Sequence, residues 1–392
     1  MITARVLLVL AAVLCAAPAR AQDNPAPLIS RIESAQVPDR QGYDALSIPQ
    51  LMQRLHVPGV SIAIIKDYRV HWLKSYGVAD VETGRLVDSA TVFQAASISK
   101  PVTAMAAMRL VQDQRLALDA DINTYLRSWR VPTSELNRTQ PVTARSLFSH
   151  TSGSDDGFGF PGYDPAAPRP TLVQILNGQP PSNVGSVTFV RAPYRGYKYS
   201  GGGLTIMQLA LTELTGVPFA EFMGSTVLTP LGMTNSSYEQ PMTAAFASHA
   251  ARAHNGQGKG MGAAWHVYPE QAAAGLWTTP TDLAQFVIEV MTAVRGPRGK
   301  VLSQAAAHEM VSPVGTGPFA VGLRIEQRGE GWYFGHSGGN WGFQADIKGH
   351  VRKGYGVVIM TNGDSGGVLI AEIEARVALA YGWDSLDKAL VR

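Results

Sequence analysis

Ser97 and Lys100 stand three residues apart at the mouth of a stretch, Ile98–Leu116, that is apolar nearly all round. Such a stretch reads as a buried helix, and a spacing of three places both side chains on one helical face, within reach of each other. The lysine is poorly placed for stability. The first turn of a helix carries the positive end of its dipole and an apolar surround desolvates an ammonium, so both effects favour the neutral amine. A sequence concerned only with helix stability would put Asp or Glu there. An easily neutralised amine beside a hydroxyl is instead what a serine nucleophile needs. The motif is not decisive alone, because short motifs recur by chance: Ser97 could be a helix cap with a solvated lysine after it. The same pattern also occurs at Ser385-Leu386-Asp387-Lys388, with no partner motif downstream.

Two later stretches strengthen the first. Tyr199 lies in Tyr197-Lys198-Tyr199-Ser200-Gly201-Gly202-Gly203, where glycines allow close backbone approach and a helix is predicted from Leu204. His336-Ser337-Gly338-Gly339 follows a predicted strand, Trp332–Phe334, and its small residues would leave a strand edge open to a substrate. Singly, these read as a tyrosine in a glycine turn and a tight turn with a capping histidine. In this order, with Ser97 and Lys100, they resemble the serine β-lactamase and penicillin-binding protein superfamily. The resemblance is closest to the class C-like branch, which includes carboxylesterases, D-aminopeptidases and D-Ala-D-Ala carboxypeptidases. Ser149-His150-Thr151-Ser152-Gly153, Pro230-Leu231-Gly232-Met233 and Ala273-Ala274-Gly275-Leu276-Trp277-Thr278-Thr279 resemble that branch too, so the likeness runs roughly from Leu46 to Gly363.

The resemblance implies Ser97 as nucleophile, Lys100 as its activating neighbour and Tyr199 as the phenol that shuttles a proton to the leaving group. A tyrosine beside an ammonium is expected to titrate below its ordinary value of about 10. The backbone N–H groups of Ser97 and Gly339 would hold the oxyanion, with Ser337 and Gly338 lining the substrate site and His336 in place of the lysine of many β-lactamases. One departure is Gly201, which stands where β-lactamases carry the Asn that grips a substrate's acylamino group. The expected activity is hydrolysis of small esters or amides through an acyl-enzyme, with esters favoured. A β-lactamase, a D-peptidase and a penicillin binder with little turnover are the alternatives. No cofactor is implied, and the partners are small ester, amide or β-lactam substrates. Aromatic residues crowd the loops flanking the site, Phe158, Phe160, Tyr163, Tyr194 and Tyr197, as an apolar acyl pocket would require, although loop aromatics as often simply pack.

Rival chemistries fit less well. Gly363-Asp364-Ser365-Gly366-Gly367 matches the nucleophile motif of chymotrypsin-like proteases and the Gly-x-Ser-x-Gly elbow. A disulfide-rich protease is excluded because Cys15 is the only cysteine and lies in the leader, and an α/β-hydrolase needs a histidine after the serine, whereas none follows His350. His249, His254 and His266 have spacings that match no tetrahedral metal site.

The positioning elements can be read in outline. A loose start, Gln22–Asp44, precedes a short helix opened by Ser47 and Pro49, then a hairpin of Val60–Ile65 and Val70–Tyr76. Strands are predicted again at Phe319–Gln327, Trp332–Phe334, Gly342–Ile347 and Tyr355–Met360, closed by a helix over Gly366–Tyr381. Helices are predicted between them at Leu204–Thr215, Ala220–Leu228 and Asp282–Val294, and Gly153–Tyr199 reads as long site-building loops. The fold class is α/β (α+β), β-lactamase/transpeptidase-like: an antiparallel sheet formed from both chain ends, flanked by helices, with a mainly helical central lobe. The sheet lobe spans about 45–95 and 310–392, and the helical lobe about 96–309. Residues 1–21 read as a signal peptide, with Arg5, the apolar run Val6–Leu14 and an Ala19-Arg20-Ala21 cleavage motif, leaving 22–392 as a periplasmic or secreted hydrolase domain. Lipidation at Cys15 is disfavoured by Leu14 before it, and no stable membrane anchor is expected. Cleavage would leave 31 basic and 30 acidic residues of the original 33 and 30, which is no nucleic-acid footprint.

Overall fold

The computed structural model describes residues 24–36, 42–155, 159–297 and 299–388. The predicted signal peptide with Cys15, and Phe158, lie outside the described residues. Nine strands occur among those described: β1 Gly59–Lys66, β2 Arg69–Asp80, β3 Arg85–Leu86, β4 Phe93–Gln94, β5 Trp277–Thr278, β6 Arg324–Arg328, β7 Gly331–Asn340, β8 Phe343–His350 and β9 Gly356–Thr361. Seven form one antiparallel sheet in the order β3-β2-β1-β9-β8-β7-β6, and β4 and β5 pair as a small separate ribbon. The two chain ends meet at the centre of the large sheet, where Ile62 of β1 faces Ile359 of β9.

β1 is buried along nearly its whole length because helices cover both faces of the sheet. Successive side chains of a strand point to opposite faces, and β1 divides accordingly. Ile62 and Ile64 join Ile359 of β9 and Leu369, Ile370 and Ile373 of the C-terminal helix Gly366–Tyr381. Ala63 and Ile65 face the other way, toward Phe286, Val287 and Val290 of the helix Pro280–Arg295. The latter helix begins as its sequence predicts, with the Thr279 hydroxyl accepting from the Asp282 N–H at 3.2 Å and proline in the first turn.

Several segments differ from the sequence expectation. The start of the chain is not uniformly loose, since Ala26–Glu33 is a helix. At eight residues it could not stand alone, and it is held by docking: Arg376, 1% exposed, donates to the carbonyls of Ser34 at 3.1 Å, Tyr43 at 3.2 Å and Leu46 at 2.7 Å, and to Glu372 at 2.7 Å. The strand expected from Phe319 begins only at Arg324, because Gly322 turns the chain with φ +84° and brings Phe319 toward the cleft instead. Helix Ala220–Leu228 is a short α-helix, Phe219–Met223, continued by a π-turn through Leu228. Among the described residues of Gly153–Tyr199 there is one helix, Leu172–Asn177, opened by a capping box from Thr171 and Gln174.

Removing one partner of a buried, hydrogen-bonded ion pair strands the other. Arg376→Ala should therefore cost about 3–5 kcal/mol in urea denaturation, whereas Arg109→Ala, at an exposed i,i+4 pair with Asp113, should change stability by less than about 0.5 kcal/mol.

Candidate active site

The turn carrying Ser97 is built from neighbours far away in sequence. β4 leads into it, and the Ala95 N–H bonds the Leu276 carbonyl at 2.8 Å. Ala96 is fully buried with φ +49°, a left-handed conformation that costs an alanine about 1–2 kcal/mol and persists only where the surroundings impose it. The surroundings are explicit. The Ser99 hydroxyl donates to the Ala96 carbonyl at 2.6 Å and accepts from the Leu276 N–H at 3.0 Å, and the Tyr238 hydroxyl donates to the Ser99 carbonyl at 3.0 Å. Ser97 sits in the resulting 3-10 turn, Ala96–Ile98, ahead of an α-helix over Ser99–Gln112. The buried helix is thus shorter than the predicted Ile98–Leu116 at both ends.

Lys100 is 2% exposed, and its Nζ donates to Ser97 Oγ at 2.9 Å and to the Ala273 carbonyl at 2.8 Å. Its Nζ lies 5.0 Å from the centre of the Tyr199 ring. Tyr199 does not titrate as expected from sequence. Burial pushes its phenol well above the ordinary value, and a hydrogen bond with Ser97 pulls back only weakly. Burial is thus the deciding influence, and the phenol keeps its proton.

His336, Ser337, Gly338 and Gly339 lie within β7, not beyond the strand as the sequence suggested. The strand runs on because β8 pairs with it through Asn340. β6 pairs β7 only from Gly331 to Gly335, so the HSGG segment has one sheet edge without a strand partner. Gly338 is required by contact: a Cβ there would lie 2.2 Å from the Ala95 carbonyl oxygen. Gly339 and the exposed Ser337 line a cleft of about 480 Å³ together with Ser97, Tyr199 and His336. His336 Nδ1 lies 2.6 Å from the Ser337 carbonyl, which can only accept, so that nitrogen carries the proton; Nε2 is buried without a partner. Burial, aided by the charge of Lys100, pushes the imidazole down to about 3, leaving it neutral at ordinary pH.

Two cleft features had no assigned role from sequence. His150, within the Ser149–Gly153 stretch, brackets Tyr199: its carbonyl accepts from the Lys198 N–H at 2.9 Å, its Nδ1 accepts from the Ser200 N–H at 3.1 Å, and its ring lies 4.3 Å from the Tyr199 ring. Arg324, from β6, reaches the cleft wall beside Phe319.

The remaining candidates are dispersed. Gly201 is the N-cap of the helix Gly202–Thr215, and a Cβ there would meet the Phe160 ring at 2.8 Å. Tyr197 lines the cleft, stacked on Phe319 at 5.8 Å, whereas Tyr163 and Tyr194 are tied into packing by Asn183 and Thr143. The Ser365 hydroxyl goes to the Gly256 carbonyl at 3.4 Å, and Ser385 falls in a 3-10 turn ending at Leu386, sharing no helical face with Lys388. His254 bonds the Asn362 carbonyl and His266 stacks on Trp341. Among the described residues, no group of three His, Cys, Asp or Glu side chains is placed to hold a metal ion.

The profile of the Beta-lactamase family matches residues 47–381. The chain belongs to that family. It is 26% identical over 326 residues to esterase EstB of Burkholderia gladioli, covering 75% of this chain and 78% of that one. Over 335 residues it is 29% identical to penicillin-binding protein 4 of Amycolatopsis lactamdurans, covering 79% and 81%. Its fold superposes on the D-amino acid amidase of Ochrobactrum anthropi SV3 with a TM-score of 0.69 over 91% of this chain and 98% of that one, at 21% identity. The family is one of serine hydrolases with the β-lactamase fold.

Behind Lys100, Glu270 caps the short helix Gln271–Ala274 that supplies the Ala273 carbonyl. Its carboxyl is fully buried, with neither oxygen hydrogen-bonded. Burial pushes it up to about 7, outweighing the opposing pull of its own backbone N–H and of the Tyr163 hydroxyl. A carboxyl whose folded value exceeds its unfolded value of about 4.3 destabilises the fold as it ionises: the cost is absent below about pH 4, grows to about pH 7 and is complete above. Glu270→Gln should therefore raise unfolding free energy at pH 8 by on the order of 3 kcal/mol and leave it unchanged near pH 4, measured by urea titration at both pH values.

Proposed function

We propose that the protein is an exported serine hydrolase that forms an acyl-enzyme on Ser97 and acts best on small esters. The observation that carries this reading is the buried Lys100 amine 2.9 Å from Ser97 Oγ, with Tyr199 beside both. Lys100 takes the Ser97 proton as Oγ adds to the substrate carbonyl. The oxyanion forms against the N–H groups of Ser97 and Gly339. Collapse breaks the bond to the leaving group, which takes a proton from Tyr199, and the Lys100 ammonium restores the phenol. Water then enters, gives up a proton by the reverse route, and releases the acid and free Ser97. The raised Tyr199 phenol suits a donor in this scheme better than a standing base. His336 stands neutral where many β-lactamases carry lysine.

The ester preference follows from Gly201. A β-lactam or D-peptide asks for recognition of its acylamino arm, and a missing hydrogen-bond partner typically gives up about 1–3 kcal/mol, roughly ten- to a hundredfold. An activated ester asks mainly for a nucleophile and an oxyanion hole. The named esterase, penicillin-binding and amidase relatives are consistent with acyl transfer at such a site. A D-peptidase is the second reading, favoured by Arg324, whose guanidinium suits a carboxylate on the departing residue. The leader sequence supports export, and no helix among the described residues is long and apolar enough to cross a membrane.

Ser97→Ala should abolish both hydrolysis and fluorophosphonate labelling, while Ser365→Ala and Ser385→Ala leave both largely intact; labelling that survives in the Ser97 variant would exclude the scheme. Lys100→Ala and Tyr199→Phe should each lose orders of magnitude in turnover with little loss of fold. In one preparation, kcat/KM for p-nitrophenyl butyrate should exceed that for a chromogenic cephalosporin by at least about tenfold. The reverse order would place the enzyme among β-lactamases, and a fall confined to carboxylate-bearing D-peptides in Arg324→Ala would favour the peptidase.

A further inference from the structure

The Phe160 ring occupies the space that a side chain at position 201 would need. A Cβ on Gly201 would lie 2.8 Å from its Cε2 and 3.3 Å from its Cζ. Gly201 and Phe160 therefore form a matched pair, each requiring the other's size. Although Phe160 belongs to a long loop, its position is fixed at a second point. The carbonyl of the next residue, Pro161, is bonded by His266 Nδ1 at 2.8 Å. The His266 ring stacks flat on Trp341, at 3.9 Å and 4°, and the His266 carbonyl accepts from Gln94 at 2.7 Å, which in turn accepts from Asn340 at 2.7 Å. Trp341 and Asn340 directly follow Gly339. The Phe160 loop is thus tied to the far end of the strand that lines the cleft.

That end is the acyl side. β7 passes the Ser97 turn at Gly338, with His336 on one side of the contact and Gly339 to Trp341 on the other. Tyr199, which serves the leaving group, lies on the His336 side, its ring 6.1 Å from the His336 ring, and Arg324 is there as well. With the leaving group toward His336, the acyl chain is directed toward Gly339, which lines the cleft, and beyond it toward Trp341, on which His266 holds the Phe160 loop. We infer that Phe160 is the wall that sets acyl-chain size at Ser97, admitting short unbranched acyl groups and rejecting long ones and those bearing an amide next to the carbonyl. This rests on Ser97 being the acylated residue. The wall supplies apolar contact and no hydrogen-bonding group, so an acylamino arm would lose its water there without replacement.

The test is kcat/KM for p-nitrophenyl acetate, butyrate, hexanoate and octanoate and for an N-acetylglycine p-nitrophenyl ester, in the parent, Phe160→Leu and Phe160→Ala, with fluorophosphonate labelling of Ser97 followed in each. The parent should favour acetate and butyrate. Phe160→Ala should raise the octanoate-to-acetate ratio of kcat/KM at least about tenfold, the scale on which pockets discriminate chain length, and Phe160→Leu should fall between. Gly201→Ala should be impaired on every ester, and that impairment should be relieved when Phe160→Ala is added, because the pair shares one space. An unchanged chain-length profile in both Phe160 variants with labelling intact overturns the wall alone. Loss of all labelling at Ser97 in the parent overturns the serine assignment, and the wall with it.

Discussion

Everything near the cleft is arranged around one buried amine. Lys100 is almost wholly removed from water, so it must be given acceptors, and it has the Ser97 hydroxyl and the Ala273 carbonyl. Supplying them fixes the neighbourhood. The Ala273 carbonyl comes from a helix of four residues packed behind the nucleophile helix, and Ser97 comes from a turn in which Ala96 is forced into a left-handed conformation. The Ser99 hydroxyl closes that turn by bonding one carbonyl inside it and one N–H across from it. The strain at Ala96 is stored where its release would move Ser97 relative to Lys100, which is the distance the chemistry depends on.

The same lysine shapes the ionisation of its surroundings. His150 and His336 are buried, and the charge of Lys100 adds to burial in pushing both imidazoles down. Two neutral rings then flank Tyr199, and burial keeps the proton on its phenol against the weaker pull of the Ser97 hydrogen bond. Around the Tyr199 phenol therefore stand one lysine and two uncharged imidazoles. That composition keeps acid and base roles on different residues.

The residues that meet in the cleft were legible because their spacing or order is local. Ser97 and Lys100 are three apart, Tyr199 is marked by the glycines after it, and His336 by the small residues that let β7 approach the turn. The hairpin β1-β2 showed in its β-branched runs, and the helix Pro280–Arg295 in its cap. What escaped is decided by tertiary contact. The helix Ala26–Glu33 has too few residues to declare itself and depends on Arg376. His150 acts through its own backbone and ring on residues fifty positions away. The phenol of Tyr199 shifts upward rather than downward because its burial, a product of tertiary packing that the sequence does not display, outweighs the charge expected beside it. Gly201 was legible as a missing side chain, but nothing in sequence told that Phe160 fills the place.

The site exists only at a seam between distant parts of the chain. Ser97 belongs to the helical middle and Gly338 to a strand near the C-terminus, yet a single methyl at Gly338 would drive into the Ala95 carbonyl. β7 is held against that turn by β8, β8 by β9, and β9 by β1, so the strand's position is inherited across the sheet from the pairing of the two chain ends. The outer layer that covers this pairing is the C-terminal helix with the N-terminal helices docked on it through Arg376. Loop closure of this length is costly before any contact repays it. The strand that abuts the nucleophile turn thus takes its place from the pairing of both chain ends, although neither end touches Ser97 in sequence.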